Sequence, residues 1–297
     1  MYRYGGRTGR FACRAAAVLA GCVAALFFSA AVHAQGGAPA PNFSEPCPAL
    51  YPGDDAGQER IARWMARGAA DRGLPRELPV MAGLAESGLR NLRGASYAGF
   101  FGMSRTLNAG EYRGFPRNPD LQLRWFLDTA GLVRQRRVAE GRPDPAADES
   151  AFGIWIADVE RPAPGNRSGY QPHLSEARDL IAGKCAAPKS DDTTPPRLRT
   201  RIATTQHPLA AGGIVVKLRC PDHDCLAGAT ATIDGRTRRA RATTPAERGF
   251  TTLTVAVPRA ARRALRRGGS VHADVAAIAA DASANATARH HAVTLRR

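Results

Sequence analysis

The sequence predicts a multidomain chain of α and β structure: a mainly α unit followed by a small all-β unit. Three observations carry this. Apolar residues recur at helical spacing up to about residue 184 and then at a period of two. Between the two patterns lies "APKSDDTTPPR" (187–197), polar and proline-rich, which reads as a linker. Charge divides at the same place. Basic and acidic residues balance at 20 each over 35–194, whereas 195–297 carries 18 basic against 6 acidic.

The chain has 297 residues. Arg3, Arg7, Arg10 and Arg14 make a basic leader, "AAAVLAGCVAALFFSAA" an apolar run, and Val32-His33-Ala34 a small-residue cleavage site. Residues 1–34 are expected to be a signal peptide and the mature protein exported. A membrane anchor is the alternative, but the run is shorter than the ~20 residues a span needs. Residues 35–46 read as a flexible lead-in.

Residues 47–185 form the α unit. Ile61, Trp64, Met65 and Gly68 mark a first helix, with Asp54 or Asp55 as its expected cap. "PVMAGLAES" is a second, with Pro79 in the first turn and Gly88 past the end. Pro119 opens a third, longer helix, on which Leu121, Trp125 and Leu132 mark one face and Leu123, Phe126, Ala130 and Val133 broaden it. Phe152, Trp155, Ile156 and Val159 define a fourth, stopped by Pro162. Leu174, Ala177 and Ile181 define a fifth, starting near Pro172.

Residues 186–197 are the linker and 198–297 the β unit. "LRTRIA", "GIVVKLRC", "ATATID", "FTTLTVAV" and "SVHADVAAIAA" are strand-like and spaced as in a small sandwich. Asp234-Gly235 turns a hairpin into "RTRRA", "RAARRALRR" reads as helix or loop, and "DASANATARHHAVTL" as a turn and a last strand. His290 and His291 are adjacent on a strand and face opposite ways, which argues against joint metal binding.

Cys13 and Cys22 leave with the signal peptide, so Cys47, Cys185, Cys220 and Cys225 remain for an oxidising compartment. Of three connectivities, chain position favours Cys47–Cys185 and Cys220–Cys225. The first would clamp the α unit end to end, contributing about 4 kcal/mol by loop closure. "CPDHDC" could instead be a metal loop through His223, but it lacks a second ligand pair. No metal and no cofactor is expected.

The residue that needs explaining is Glu86, in "VMAGLAESGLRNL". It falls in the last turn of its helix, where unpaired carbonyls carry partial negative charge, and beside apolar Val80, Met81, Leu84 and Ala85. Both features disfavour an ionised carboxylate and suit a general acid for a poor leaving group such as a glycosidic oxygen.

"ELPVMAGLAESGLRNL" followed by "SYAGFFGMS" resembles the start of a lytic transglycosylase or goose-type lysozyme domain, and "PDLQLRWFLDTA" and "FGIWIADVERP...GYQPHLSEARDLI" resemble later helices of exported actinobacterial members. The resemblance implies a lysozyme-like fold with Glu86 as catalytic acid/base and Ser87 as its polar neighbour. It also implies a saccharide groove segment of Gly99, Phe100, Phe101, Gly102 and Met103. Phe100, Phe101 and Tyr112 flank the groove, and aromatic faces suit sugar rings as they suit a core: Phe101 suits both equally and Phe100 suits a core better. Gly102 stands where that family carries a groove glutamine, and a tyrosine supporting the glutamate would have to be Tyr97, Tyr112 or Tyr170. A two-carboxylate hydrolase would need a partner for Glu86, for which Glu111, Asp120 and Asp128 are candidates by chain order. A transglycosylase needs none, because the muramyl 6-hydroxyl attacks its own anomeric carbon. The β unit resembles immunoglobulin-like modules.

The expected activity is therefore cleavage of the MurNAc–GlcNAc bond of peptidoglycan glycan strands by one glutamate, outside the cell and at its wall. A cell-wall-binding protein without turnover and a water-using muramidase are the alternatives. Arginines 236, 238, 239, 241, 262, 263, 266 and 267 could hold anionic wall polymers. Specific nucleic-acid binding is not expected, since no aromatics interleave the arginines. The oligomeric state is not legible.

Overall fold

The computed structural model of the protein describes residues 47–182, 192–221, 225–246 and 249–297. It is a mixed structure of helices and several sheets. The expected signal peptide, Cys185 and His223 lie outside the described residues.

Helix α1 (Gln58–Ala70) buries Ile61, Trp64 and Met65. Its N-cap is Gly57, with no side-chain cap. The expected cap Asp54 is engaged elsewhere, accepting from Tyr51, Asn91 and Arg93. Helix α2 (Glu77–Ser87) ends at Gly88, whose φ of 62° is left-handed. Leu89 N then donates to Gly83 O (3.0 Å). A Cβ on Gly83 would come within 2.8 Å of the Leu89 side chain, so that glycine lets the chain fold back over the helix end. Three short strands follow, β1 (Leu92–Arg93), β2 (Tyr97–Gly99) and β3 (Met103–Ser104), in an antiparallel sheet ordered β1-β2-β3.

Helix α3 (Pro119–Ala139) is capped by Asn118, whose side chain accepts from Leu121 N. Its buried stripe is Gln122, Leu123, Phe126, Leu127, Ala130 and Val133. The expected marker Leu132 is exposed, while Leu121 and Trp125 are only partly covered. Helix α4 (Phe152–Glu160) buries its expected face and stops where Arg161 turns left-handed before Pro162. Helix α5 (Leu174–Ile181) packs through Ala177 and Ile181. These helices share one core with Phe100, Phe101, Met103 and Phe115. Cys47 is disulfide-bonded, and Arg67 donates to its carbonyl (2.9 Å).

The remaining elements are β4 (Arg199–Arg201), β5 (Thr205–Gln206), α6 (Pro208–Ala211), β6 (Ile214–Arg219), β7 (Leu226–Ile233), β8 (Arg236–Arg239), β9 (Thr251–Val255), α7 (Arg259–Arg266), β10 (Val271–Ala280) and β11 (Ala286–Leu295). They form a five-stranded sheet, β5-β11-β10-β7-β8, and a three-stranded sheet, β4-β6-β9, about one core. The β7–β8 turn at Asp234-Gly235 has positive φ at both residues (49° and 70°), as a tight hairpin requires. Strand β5 and helix α6 carried no sequence signal. β5 adds to β11 in parallel, and its Gln206 amide meets both polar groups of the Val215 peptide in the other sheet (2.8 and 3.0 Å). Cys220 and Cys225 form a disulfide. His291 meets Thr200 (3.0 Å) while His290 lies 3.7 Å from Asp274, so the two rings have separate neighbours.

The end of α3 packs on the five-stranded sheet. Gln135 donates to Ala280 O (2.9 Å) and Glu140 accepts from Ala242 N (3.3 Å). A Cβ on Gly228 of β7 would lie 2.1 Å from Ala139 O, so only glycine permits this approach. Small residues at Gly228 and Ala280 thus serve a helix–sheet contact, and the second half of β10 is buried along its whole length.

Candidate functional site

Glu86 sits in the last turn of α2, partly buried. Of its neighbours, Val80, Met81 and Leu84 are buried and Ala85 is exposed. The Tyr170 hydroxyl donates to Glu86 Oε1 at 2.5 Å. Of the three tyrosines open in the sequence, this one meets the glutamate. Tyr112 instead bonds Asp128 (3.2 Å), and Tyr97 is exposed on β2. Burial first, then the hydrogen bond and negative charge of Glu86 and the charge of Glu160, push the Tyr170 phenol well above its usual range, so it stays a donor.

Tyr170 is held by its surroundings. Gln171, next in sequence, accepts from Gly153 N (2.6 Å) at the start of α4 and donates to Glu149 O (3.1 Å). A Cβ on Gly153 would fall 2.8 Å from Gln171 N, so α4 carries a glycine where this turn crosses it.

The second oxygen of Glu86 faces the β2–β3 turn. A Cβ built on Gly102 would lie 3.2 Å from Glu86 Oε2 and meet nothing else within 4 Å. Gly102 has φ +55°, a further reason for glycine. Having no side chain, Gly102 leaves the space between this turn and Oε2 unfilled.

The rest of the expected groove segment is turned inward by two side chains. Gln122 is completely buried. Its Oε1 accepts from Phe100 N (3.1 Å), and its Nε2 donates to Phe115 O (2.9 Å) and Asn91 Oδ1 (3.1 Å). Ser87 Oγ lies within hydrogen-bonding distance of Phe100 O (2.8 Å) and Gly83 O (2.9 Å). Both polar groups of the buried Phe100 peptide are thereby met outside any strand ladder. Gly99, φ +84°, abuts the Gln122 amide, which a Cβ would meet at 2.5 Å. Phe101 stacks on Phe126 (4.6 Å between centroids) and Met103 is buried, so both are core residues in this structure. Ser87 and Gly99 shape the loop, Gly102 borders the carboxyl, and Tyr112 stands apart with Asp128.

The carboxyl neighbour of Glu86 is Glu160, at the end of α4. Its Oε1 is buried with no hydrogen-bond partner. Burial first, and then the charge of Glu86, drive its proton affinity well above the ordinary carboxylate value. The carboxylates Glu111 and Asp128, candidates by chain order, lie instead in a web with Arg124 and Arg72. Asp120 opens α3, where burial raises its proton affinity.

Sequence reasoning missed Gln122 and Glu160, and both were visible as polar residues on an apolar stripe. Gln122 shares a face with Phe126, Ala130 and Val133, and Glu160 with Phe152 and Ile156 at steps of four. No family model matches this chain, and no curated protein matches it.

Proposed function

We propose that this protein is an exported enzyme that cuts peptidoglycan glycan strands between MurNAc and GlcNAc without using water. In this reading the α unit is a lysozyme-like domain and the β unit an immunoglobulin-like module that keeps the enzyme at the wall. The observation that carries it is the setting of Glu86: Oε1 is fixed by Tyr170 and Oε2 faces the turn at Gly102. One oxygen is oriented, and the turn beside the other carries no side chain at Gly102. Glu86 hands a proton to the leaving sugar oxygen as the C1–O bond breaks. The carboxylate then takes the proton of the muramyl 6-hydroxyl as that oxygen bonds to C1. The proton count closes and no water enters.

The wall-anchoring part rests on unpaired charge. Arg236, Arg238 and Arg239 are exposed along β8, and Arg262, Arg263, Arg266 and Arg267 along α7. Among the described residues none of these is in an ion pair. Such a surface suits phosphate- or carboxylate-bearing wall polymers.

The test is digestion of purified cell wall followed by mass spectrometry. Soluble muropeptides with 1,6-anhydro ends are expected from the wild type and not from Glu86→Gln. Ordinary reducing ends would identify a muramidase. Binding to wall without cleavage, unaltered in Glu86→Gln, would favour a wall-binding protein, a reading that the missing groove glutamine at Gly102 supports.

A further inference from the structure

We propose that Glu160 is a second working carboxyl of this site, a proton-holding and positioning residue that carries the shared proton of a Glu86–Glu160 pair while the Tyr170 hydroxyl donates to Glu86. The inference rests on the reading of Glu86 as the acid/base.

Three features of the geometry lead to it. Helices α2 and α4 and the turn Gln171–His173 pack on one another; Tyr170 meets Glu86, and the charge of Glu160, at the end of α4, is felt by both Tyr170 and the Glu86 site. Among the described residues, the hydrogen bond to a carboxyl within this group comes from a phenol, and Glu160 Oε1 is closed off from solvent without a donor. A buried carboxylate left this way costs more than a hydrogen bond can return, so such a group keeps its proton or gains a cation. No cation acts on it among the described residues.

The groups facing the pair are few. Glu86 comes from α2, Tyr170 from the loop before the 171–173 turn, and Arg167 from the loop after α4. Arg167 acts on Tyr170, but its guanidinium is spent on Asp158 and on Ala157 O (3.2 Å). Asp158 is in turn shared with Arg137 (2.8 Å). Arg167 is thus tied to Asp158 rather than to either glutamate, and the groups acting on Glu160 are its burial and its like-charged neighbour, with no cation among them.

The role follows. The proton that burial keeps on Glu160 is shared with its neighbour, as in interacting pairs. When Glu86 needs it, the proton passes from Glu160 to Glu86 and on to the sugar oxygen. The 6-hydroxyl proton then returns along the same route, so each turnover restores the pair. The pair thus keeps a proton within reach of the oxygen that must deliver it.

The experiment uses the full chain with Glu160→Gln, Glu160→Asp and Glu86→Gln. Wall cleavage is followed across pH, and glutamate side-chain carboxyls are titrated by carbon-13 NMR. In Glu160→Gln the alkaline limb of the rate profile should move to lower pH by about one unit or more, a loss on that limb on the order of tenfold at fixed pH. Glu160→Asp should restore part of the shift. The carboxyl signal that vanishes in Glu160→Gln should titrate above the ordinary range and move down in Glu86→Gln. An alkaline limb in Glu160→Gln that stays where the wild type has it, or a Glu160 signal titrating in the ordinary range, overturns the proposal. If no wall cleavage is found with any form, the function proposed above fails while the NMR titration still decides the pairing.

Discussion

Around Asp128, every carboxylate faces a guanidinium. Arg72 and Arg124 both reach Asp128 at 3.3 Å, and Arg124 also reaches Glu111 at 3.2 Å. Around Glu86, the carboxyls face a phenol and each other. Both clusters lie in the helical half and both contain a tyrosine bonded to an acid, so tyrosine–acid contact does not distinguish them. What does is charge balance. The Asp128 web is neutralised on the surface, where ion pairs contribute little. The Glu86 cluster keeps uncompensated carboxyls partly out of water, an arrangement that costs stability and that structural needs alone do not call for.

The largest effect expected from breaking this comparison is on catalysis. Glu86→Gln keeps the shape of the side chain and should lower release of soluble muropeptides on the order of 10²–10⁴-fold, the range of a lost acid/base. Asp128→Asn, the parallel change in the neutralised web, should leave release unchanged. Equal losses in both variants, with circular dichroism showing both folded, would remove the distinction between the clusters.

Next in size is the glycine over Oε2. Gly102→Ala and Gly110→Ala impose the same kind of backbone strain, at φ +55° and +58°. Only the first brings a Cβ near anything, 3.2 Å from Glu86 Oε2. Each should lose about 1–2 kcal/mol of stability from left-handed strain, read by denaturant unfolding. Only Gly102→Ala should also lose cleavage, on the order of tenfold to a hundredfold from misplacing a reacting oxygen. The pair separates strain from access.

These two residues also show what the sequence made legible. Glu86 was visible because its helix ends at a glycine and its neighbours are apolar, both of which are local facts. The hairpin turn at Asp234-Gly235 was visible for the same reason. Glu160 and Gln122 have equally clear local signals, a polar residue at steps of four along a buried stripe. They become part of a site only when α4 and α3 are brought beside α2 and the β2–β3 turn, and helical periodicity does not say which helices meet. Phe101 was balanced between groove and core because an aromatic ring satisfies either. The Phe126 ring, 25 residues away in the chain, decides for the core.

A smaller effect should appear in stability against pH. The folded-state proton affinity of Glu160 lies well above its ordinary value near 4.5, so between those limits the folded chain binds more protons than the unfolded one. The contribution of Glu160 to stability is thus fully present below the ordinary carboxylate range and is lost as pH rises through the interval up to its folded-state value. Melting temperature should therefore decline from mildly acid to neutral pH. Glu160→Gln should flatten that decline and melt higher than the wild type at the alkaline end. Asp144, held below the usual carboxylate range in part by Arg134, gives the opposite slope at more acid pH, so the Glu160 effect is read as a difference between the two proteins.

The smallest effect belongs to the neutralised web. Arg124→Ala removes the partner of both Glu111 and Asp128, yet Arg72 remains on Asp128 and the side chains are open to solvent. The expected cost is about 0.2–1 kcal/mol and should shrink with added salt, because exposed pairs are screened. Burial, together with the charge and hydrogen bond of Asp128, pushes the Tyr112 phenol up to about 12, and that hydrogen bond survives the substitution. A loss of several kcal/mol, or any change in the pH profile of wall cleavage, would mean that this web is coupled to the Glu86 cluster through α3. The two regions would then be one site rather than two.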